Sequence, residues 1–351
     1  MKRGASLDVQ RRRAVSTFGD RSTRITVTIW YWVRFLFHRG CGKMRPPNRP
    51  SPRRKPIAMT VCIAAIAAKS RAIVCIADRA LTFAGAAASA QTDSGVTKII
   101  DIPNTHWSAM FSSEDLAFPE RVLGIVTREV GKKNRSEIDR SVMEEAVKTA
   151  FYEQWQFEVE DRVLKPKLLT RSSFTATPLE TRDARLLNTE YLNTLAQEMA
   201  EHRNNCCMIF CGFDATGPHI FSCSTPAGQI NPCDWQGFQV MGEGEETARN
   251  HLIWSEFDKD DSLESVLYDV FNAKVATEVL QGIGYAWNWR VIVKGRKPQP
   301  LPKRIDTIID KVWEAYNRSP YGSTLNREDK IIRGWKKKME TFGTTLLGKS
   351  R

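Results

Sequence analysis

Two groupings of residues in this 351-residue chain have the types and spacing for chemistry. The first is Thr60, Asp78 and Lys98: a hydroxyl, a carboxylate and an amine at the start, the end and the inside of apolar runs. A threonine hydroxyl is too weakly acidic to attack an amide unaided and needs an adjacent base. A free α-amino group, which ordinarily titrates at about 7.7–8.0, supplies that base on the same residue when the threonine is N-terminal. Met59 precedes this small residue, so translation from Met59 and removal of the methionine would expose Thr60. Singly, each residue has a plainer reading: Thr60 as a strand residue, Asp78 with Arg79 as a surface ion pair, Lys98 as a solvated side chain. The second grouping is Cys206, Cys207 and Cys211 with His202 or His219, donors of the kind that bind zinc. No Cys-x-x-Cys pair supports that reading, and these cysteines lie in apolar runs, so core packing is expected and no metal.

The elements that must position these groups follow from hydrophobic patterning. TVCIAAIA (Thr60 to Ala67) and RAIVCIAD (Arg71 to Asp78) are near-continuous apolar runs around a turn at Ala68 to Ser70, as expected of a hairpin covered on both faces. A small-residue loop over Gly85 to Gly95 leads to strands VTKIIDI (Val96 to Ile102) and HWSAMF (His106 to Phe111). Pro119 then opens a helix to Val130, and Ser136 with Glu137 opens another to Val159. The polar stretch 165–186 reads as an exposed insertion, followed by a helix over Leu187 to His202. Strands return at Cys206 to Asp214, His219 to Thr225 and Gly237 to Gly242. Helices over Glu245 to Phe257 and Ser262 to Leu280 and a strand over Trp287 to Gly295 complete the pattern. This order predicts an α+β protein, an αββα sandwich of two antiparallel sheets with helices outside each. Beyond Lys303, two amphipathic helices (Ile305 to Tyr316 and Arg327 to Phe342) form a C-terminal extension over 301–351.

The net charge of +12 would suit a nucleic-acid partner, but it is not spread over the domain. Residues 1–58 carry 15 Lys/Arg against Asp8 and Asp20, a balance of +13, which leaves −1 for the remainder. The segment 1–58 is therefore expected to be a disordered extension or sequence upstream of the true start, with 59–300 as the folded domain and an insertion near 165–200. Its apolar run, Ile25 to Phe37, is interrupted by Arg34 and too short to span a bilayer, so no membrane role is expected. Reduced core cysteines point to the cytoplasm.

The sequence from about Thr60 to Gly295 resembles the β-type subunits of the proteasome and their bacterial relatives, N-terminal-nucleophile (Ntn) hydrolases. The resemblance rests on TVCIAAI, on IADRA with Asp78, on VTKIIDI with Lys98, on CGFDATGPHIFSCSTPAG and on VMGEGEETA. It implies a threonine-type peptidase without cofactor, with Thr60 as nucleophile, Lys98 beside it, and Asp78 anchoring Lys98. It places the oxyanion-binding N–H at Ser112 in MFSSED. Positions that support the amine in the family fall on Glu243, Glu278 and Gln281, a departure, since two carboxylates would raise the pKa of an ammonium and weaken it as a base. The resemblance further implies a homo-oligomeric ring acting on peptide or protein substrates and no nucleic-acid partner. Two alternatives stay open: a catalytically silent structural subunit of the same fold, and an Ntn amidase acting on a small acyl compound.

Overall fold

The computed structural model describes residues 60–347 apart from 85–88, 94–96, 114, 173–188, 203–204, 226–227, 281–282 and most of 304–340. All of these belong to one compact unit, Arg54–Arg351. The expectations for residues 1–58, for Met59 and for Gln281 lie outside the described residues.

Three β-sheets form among the described residues, all antiparallel. The first sheet has the order β10-β1-β2-β11, with β1 at Cys62–Ala67, β2 at Ala72–Asp78, β10 at Phe238–Met241 and β11 at Trp287–Val293. A second sheet, β5-β6-β7-β8-β9, comprises Ile99–Asp101, Trp107–Ser113, Cys206–Phe213, Pro218–Ser224 and Gln229–Pro232. A two-stranded ribbon pairs β3 (Ala80–Ala84) with β4 (Ser89–Asp93). The helices are α1 (Ala117–Val130), α2 (Arg140–Val159), α3 (Thr189–Glu201), α4 (Glu245–Trp254) and α5 (Leu263–Thr277).

Side-chain alternation explains why β1 and β2 read as continuous apolar runs. Val61, Ile63, Ala65 and Ala67 pack into a cluster with Leu252 of α4 and Val266, Val270 and Phe271 of α5. The intervening Cys62, Ala64 and Ile66 pack instead against Met110, Ile209 and Cys211 of the second sheet. The other face of that sheet, through Trp107, Phe111, Met208 and Phe210, packs on Val122 and Val126 of α1 and Met143, Val147 and Phe151 of α2. Strands β1 and β2 thus bury both faces, and each fully buried Ile or Phe contributes on the order of 1.5–3 kcal/mol. The result is an α+β protein whose two main sheets share one core and carry helices on their outer faces.

The helix starts follow capping chemistry. The Asp139 carboxylate accepts from the Val142 amide at 2.9 Å, and Ser262 Oγ accepts from the Ser265 amide at 3.3 Å. The first cap corrects the expected start of α2: Ser136 and Glu137 lie in a 3₁₀ turn, and the helix begins at Arg140, beyond Asp139. The expected loop over Gly85 to Gly95 contains β4, and β9 falls between two expected strands in a stretch to which the sequence reading assigns no element. The expected strand over Val96 to Ile102 forms only at Ile99–Asp101, while β6 runs two residues beyond its predicted end. Of the C-terminal extension, Ile305 and Leu346 are buried in the cluster of the first sheet. The expected helix over Arg327 to Phe342 lies almost wholly outside the described residues, though 341–347 is helical. No helix among the described residues is long and apolar enough to cross a membrane.

Candidate active site

Thr60 immediately precedes Val61 and β1, Asp78 ends β2, and Lys98 immediately precedes β5. The antiparallel pairing of β1 and β2 sets Cys62 opposite Ala77, which brings the start of the first strand beside the end of the second. The second sheet then delivers Lys98 from the opposite side, since β5 hydrogen-bonds to β6 with Ile99 opposite Met110.

The three side chains meet in a buried cluster, with Thr60 3%, Asp78 0% and Lys98 2% exposed. Lys98 Nζ donates to Thr60 Oγ1 at 2.6 Å and to the two carboxylate oxygens of Asp78 at 3.0 and 3.2 Å. Two backbone amides complete the acceptors of Asp78: Val61 N–H donates to Oδ1 at 3.0 Å and Ala80 N–H to Oδ2 at 3.1 Å. A buried ion pair repays its desolvation only when the remaining lone pairs are satisfied in this way. The ammonium is thereby fixed with one face toward a hydroxyl.

The backbone of Thr60 is held from the other side by the turn Gly242 to Gly244. Gly244 N–H donates to the Thr60 carbonyl at 3.3 Å. Gly242 has φ +95°, and a Cβ on it would lie 2.1 Å from that same carbonyl oxygen. Only glycine gives both that conformation and that approach.

Other groups are less directly engaged. Ser112 in β6 is half-buried and pairs with Cys207 of β7, while on its other side the β5 ladder has ended at Ile99. Cys62 Sγ bonds the Phe111 carbonyl at 3.6 Å, joining the start of β1 to the peptide of Ser112, and burial pushes this thiol far up, so it is no competing nucleophile. Glu243 lies in the turn over Thr60 but is exposed. Glu278, the C-cap of α5, is bound by the ammonium of Lys274 one helical turn earlier. Neither glutamate hydrogen-bonds Thr60 among the described residues.

Lys274 is absent from the sequence-based set, although the Lys274/Glu278 spacing of four in a helix is the signal that marks such a pair. Gly242 and Gly244, flanking Glu243, carry a comparable signal as glycines bracketing a turn. No group of three or more His, Cys, Asp or Glu able to hold a metal occurs among the described residues. Cys206 and Cys211 are instead buried, Cys211 in the core between the sheets. His219 bridges Asp214 and Asp234, at 3.0 and 2.8 Å, with Arg140 on Asp234 at 2.8 Å, a charged staple far in sequence from Thr60.

No protein-family model matches this chain, and no curated protein matches it in sequence.

Proposed function

We propose that this protein is a threonine-type N-terminal-nucleophile hydrolase of the proteasome β-subunit kind, cutting peptide bonds with Thr60. The observation that carries the reading is the buried contact of Lys98 Nζ with Thr60 Oγ1 at 2.6 Å, backed by both oxygens of Asp78. The finer fold assignment belongs with it: helix, sheet, sheet and helix in that order match the αββα sandwich of Ntn hydrolases. In the reaction the α-amine of a Thr60 freed of Met59 takes the proton from Oγ1, and Oγ1 attacks the substrate carbonyl carbon. The Lys98 ammonium stabilises the developing alkoxide and favours the unprotonated form of the amine. The tetrahedral oxyanion takes the Ser112 N–H, the C–N bond breaks with proton return from the amine to the leaving group, and water then cleaves the Thr60 ester. A homo-oligomeric ring, a peptide or protein substrate and a cytoplasmic setting complete the proposal.

One observation favours the alternative of a catalytically silent subunit: in a chain that keeps residues before Thr60, its nitrogen is an amide and no base. The test is a chain begun at Met59, its N-terminus read by intact mass, assayed on fluorogenic peptide amides and sized by gel filtration. Hydrolysis is expected, with Thr60→Ala inactive by several orders of magnitude, Lys98→Ala nearly so, and Thr60→Ser partly active. Equal rates for the parent and Thr60→Ala would place the nucleophile elsewhere. Inactivity despite a confirmed N-terminal threonine would favour the silent subunit.

A further inference from the structure

Two thiols, one from each main sheet, touch in the core that the sheets share. Cys75 Sγ of β2 and Cys211 Sγ of β7 lie 3.3 Å apart, and both residues are fully buried, packed with Ile73, Ile209 and Ile292. Strand register leads from this contact to the edge of the sandwich. In the first sheet Cys75 stands opposite Arg290 of β11. In the second, Cys211 stands opposite Ser108 of β6, which stands opposite Asp101 of β5. Residues directly opposite in an antiparallel ladder share a face, so each row points into the layer between the sheets. The rows meet there: Arg290 Nε donates to the Asp101 oxygens at 3.3 and 3.2 Å, Ser108 Oγ donates to Asp101 Oδ1 at 2.8 Å, and Cys211 Sγ donates to the Ser108 carbonyl at 3.6 Å. The Arg290 and Asp101 side chains are 22% and 36% exposed, whereas Ser108 is fully buried. A chain of polar atoms therefore runs from solvent through an aliphatic layer and ends on two thiols.

We propose that Cys75 and Cys211 are a redox pair, which a small peroxide entering along Arg290, Asp101 and Ser108 converts into a disulfide between the two sheets. The inference is independent of the hydrolase reading of Thr60. In the first step one thiol sulfur attacks the peroxide, the O–O bond breaks, and a sulfenic acid and one water form. In the second step the other sulfur attacks the sulfenic sulfur, the S–S bond forms, the S–O bond breaks, and a second water leaves. The two thiols are oxidised by two electrons, hydrogen peroxide is reduced, and both thiol hydrogens end in water. The sulfurs need only close from 3.3 Å to the ~2.05 Å of an S–S bond. Antibody domains bridge two packed sheets with a disulfide in the same setting. The contact with Cys211, then burial, pushes the Cys75 thiol up, with Asp101 adding to the rise and Arg290 opposing it. The thiolate is the reactive form, so the pair reacts slowly and only with an oxidant small enough to reach it. The new bond would tie β2, which ends at Asp78, to the sheet that delivers Lys98.

The experiment maps the link in the full chain. Reduced protein is treated with hydrogen peroxide, the reaction is stopped with catalase, and the remaining thiols are alkylated in denaturant before intact-mass and non-reducing peptide analysis. Two fewer alkylated thiols per chain are expected, with one peptide pair joining Cys75 to Cys211, both reversed by dithiothreitol. The same treatment in guanidinium should give mixed pairings, because the fold supplies the contact; a Cys75–Cys211 link that dominates there too would overturn the proposal. Cys75→Ala and Cys211→Ala should each abolish the link and leave the surviving sulfur as a sulfenic acid that dimedone traps. Ser108→Val removes the hydroxyl midway along the path and should slow the link several-fold, and an unchanged rate would overturn the route. If that variant does not fold, Asp101→Leu with Arg290→Leu closes the edge without leaving an unpaired charge, and is judged in the same way. Native protein whose thiols all stay alkylatable, or whose first link joins any other two cysteines, would overturn the pair itself. No arm needs peptidase activity, so this inference and the hydrolase reading fail separately.

Discussion

Replacing Gly242 by alanine tests the geometry around Thr60 without touching any of the three side chains. At φ +95° an L-residue is strained, which costs about 1–3 kcal/mol. The new methyl would also sit 2.1 Å from the Thr60 carbonyl oxygen and 2.8 Å from its carbonyl carbon, where an ordinary contact needs more than 3.4 Å. Something must shift by about 1 Å, and the two nearest neighbours are backbone atoms, not the yielding end of a long side chain. Forcing such a shift in a packed core typically costs a further 1–3 kcal/mol, so a total of about 2–6 kcal/mol is expected. That is a large part of a domain's stability, which is about 5–15 kcal/mol. Chemical denaturation of the parent and Gly242→Ala chains measures it, with Gly124→Ala on α1 as a control, because a Cβ there meets nothing within 4 Å and should be neutral or stabilising. A displacement of Thr60 by about 1 Å should also cost on the order of 100-fold in peptide hydrolysis. A Gly242→Ala protein as stable as the Gly124→Ala control would refute the close approach of this turn to Thr60.

Three further outcomes follow from the same contacts. Lys98→Met should destabilise by about 3 kcal/mol, because it strands the fully buried carboxylate of Asp78, and adding Asp78→Asn should recover part of that loss in a denaturation series. Burial alone would lower the pKa of His219, but its bonds to Asp234 and Asp214 outweigh this and hold it above the ordinary value; against the opposing effect of burial, Asp234 is held below its ordinary value chiefly by His219, and Asp214 chiefly by the Thr216 hydroxyl and the Arg140 amide, with His219 after them. The histidine contribution is present below pH about 6.5 and lost as pH rises through the raised folded value, and the aspartate contribution is present above pH about 4, so His219→Gln should lower the melting temperature most near pH 5–6 and least above pH 8. A cost that is the same at pH 5.5 and pH 8.5 would count against the charged staple. Burial, and then Asp261, pushes the Asp269 carboxyl up to about 7, so its ionisation opposes folding increasingly as pH rises from about 4 to 7. Asp269→Asn should therefore gain melting temperature over the parent across that window, and parallel curves would refute it.

The hairpin β1/β2 was legible because both of its faces are buried, which leaves an unbroken apolar run in the sequence. Thr60, Asp78 and Lys98 were legible as a set only through their order along the chain, since a strand threonine or a lone lysine says nothing alone. The structure brings all three within hydrogen-bonding reach. What the sequence concealed is where local composition and tertiary pairing disagree. Ser89–Asp93 carries small polar residues and reads as loop, yet it pairs along its length with Ala80–Ala84. Gln229–Pro232 contains a single strongly apolar residue and lies at the edge of its sheet, where little burial is needed to hold a strand. The resemblance alone makes Glu278 a partner for the Thr60 amine, and the cation it binds in the structure, Lys274, stands one helical turn earlier on the same helix.

The first sheet has a consequence for how the chain is made. Its central strands, β1 and β2, are among the first residues of the domain to leave the ribosome, while their outer neighbours are β10 at Phe238–Met241 and β11 at Trp287–Val293. Until those arrive, the apolar hairpin has unpaired backbone on both edges and no helix over its face, since α4 and α5 also come late. Pairings of such sequence separation fold slowly and expose strand edges in the meantime. Synthesis of this protein therefore depends on shielding the segment that bears Thr60 for most of translation, and a chain cut short before Val293 would keep that hairpin sticky.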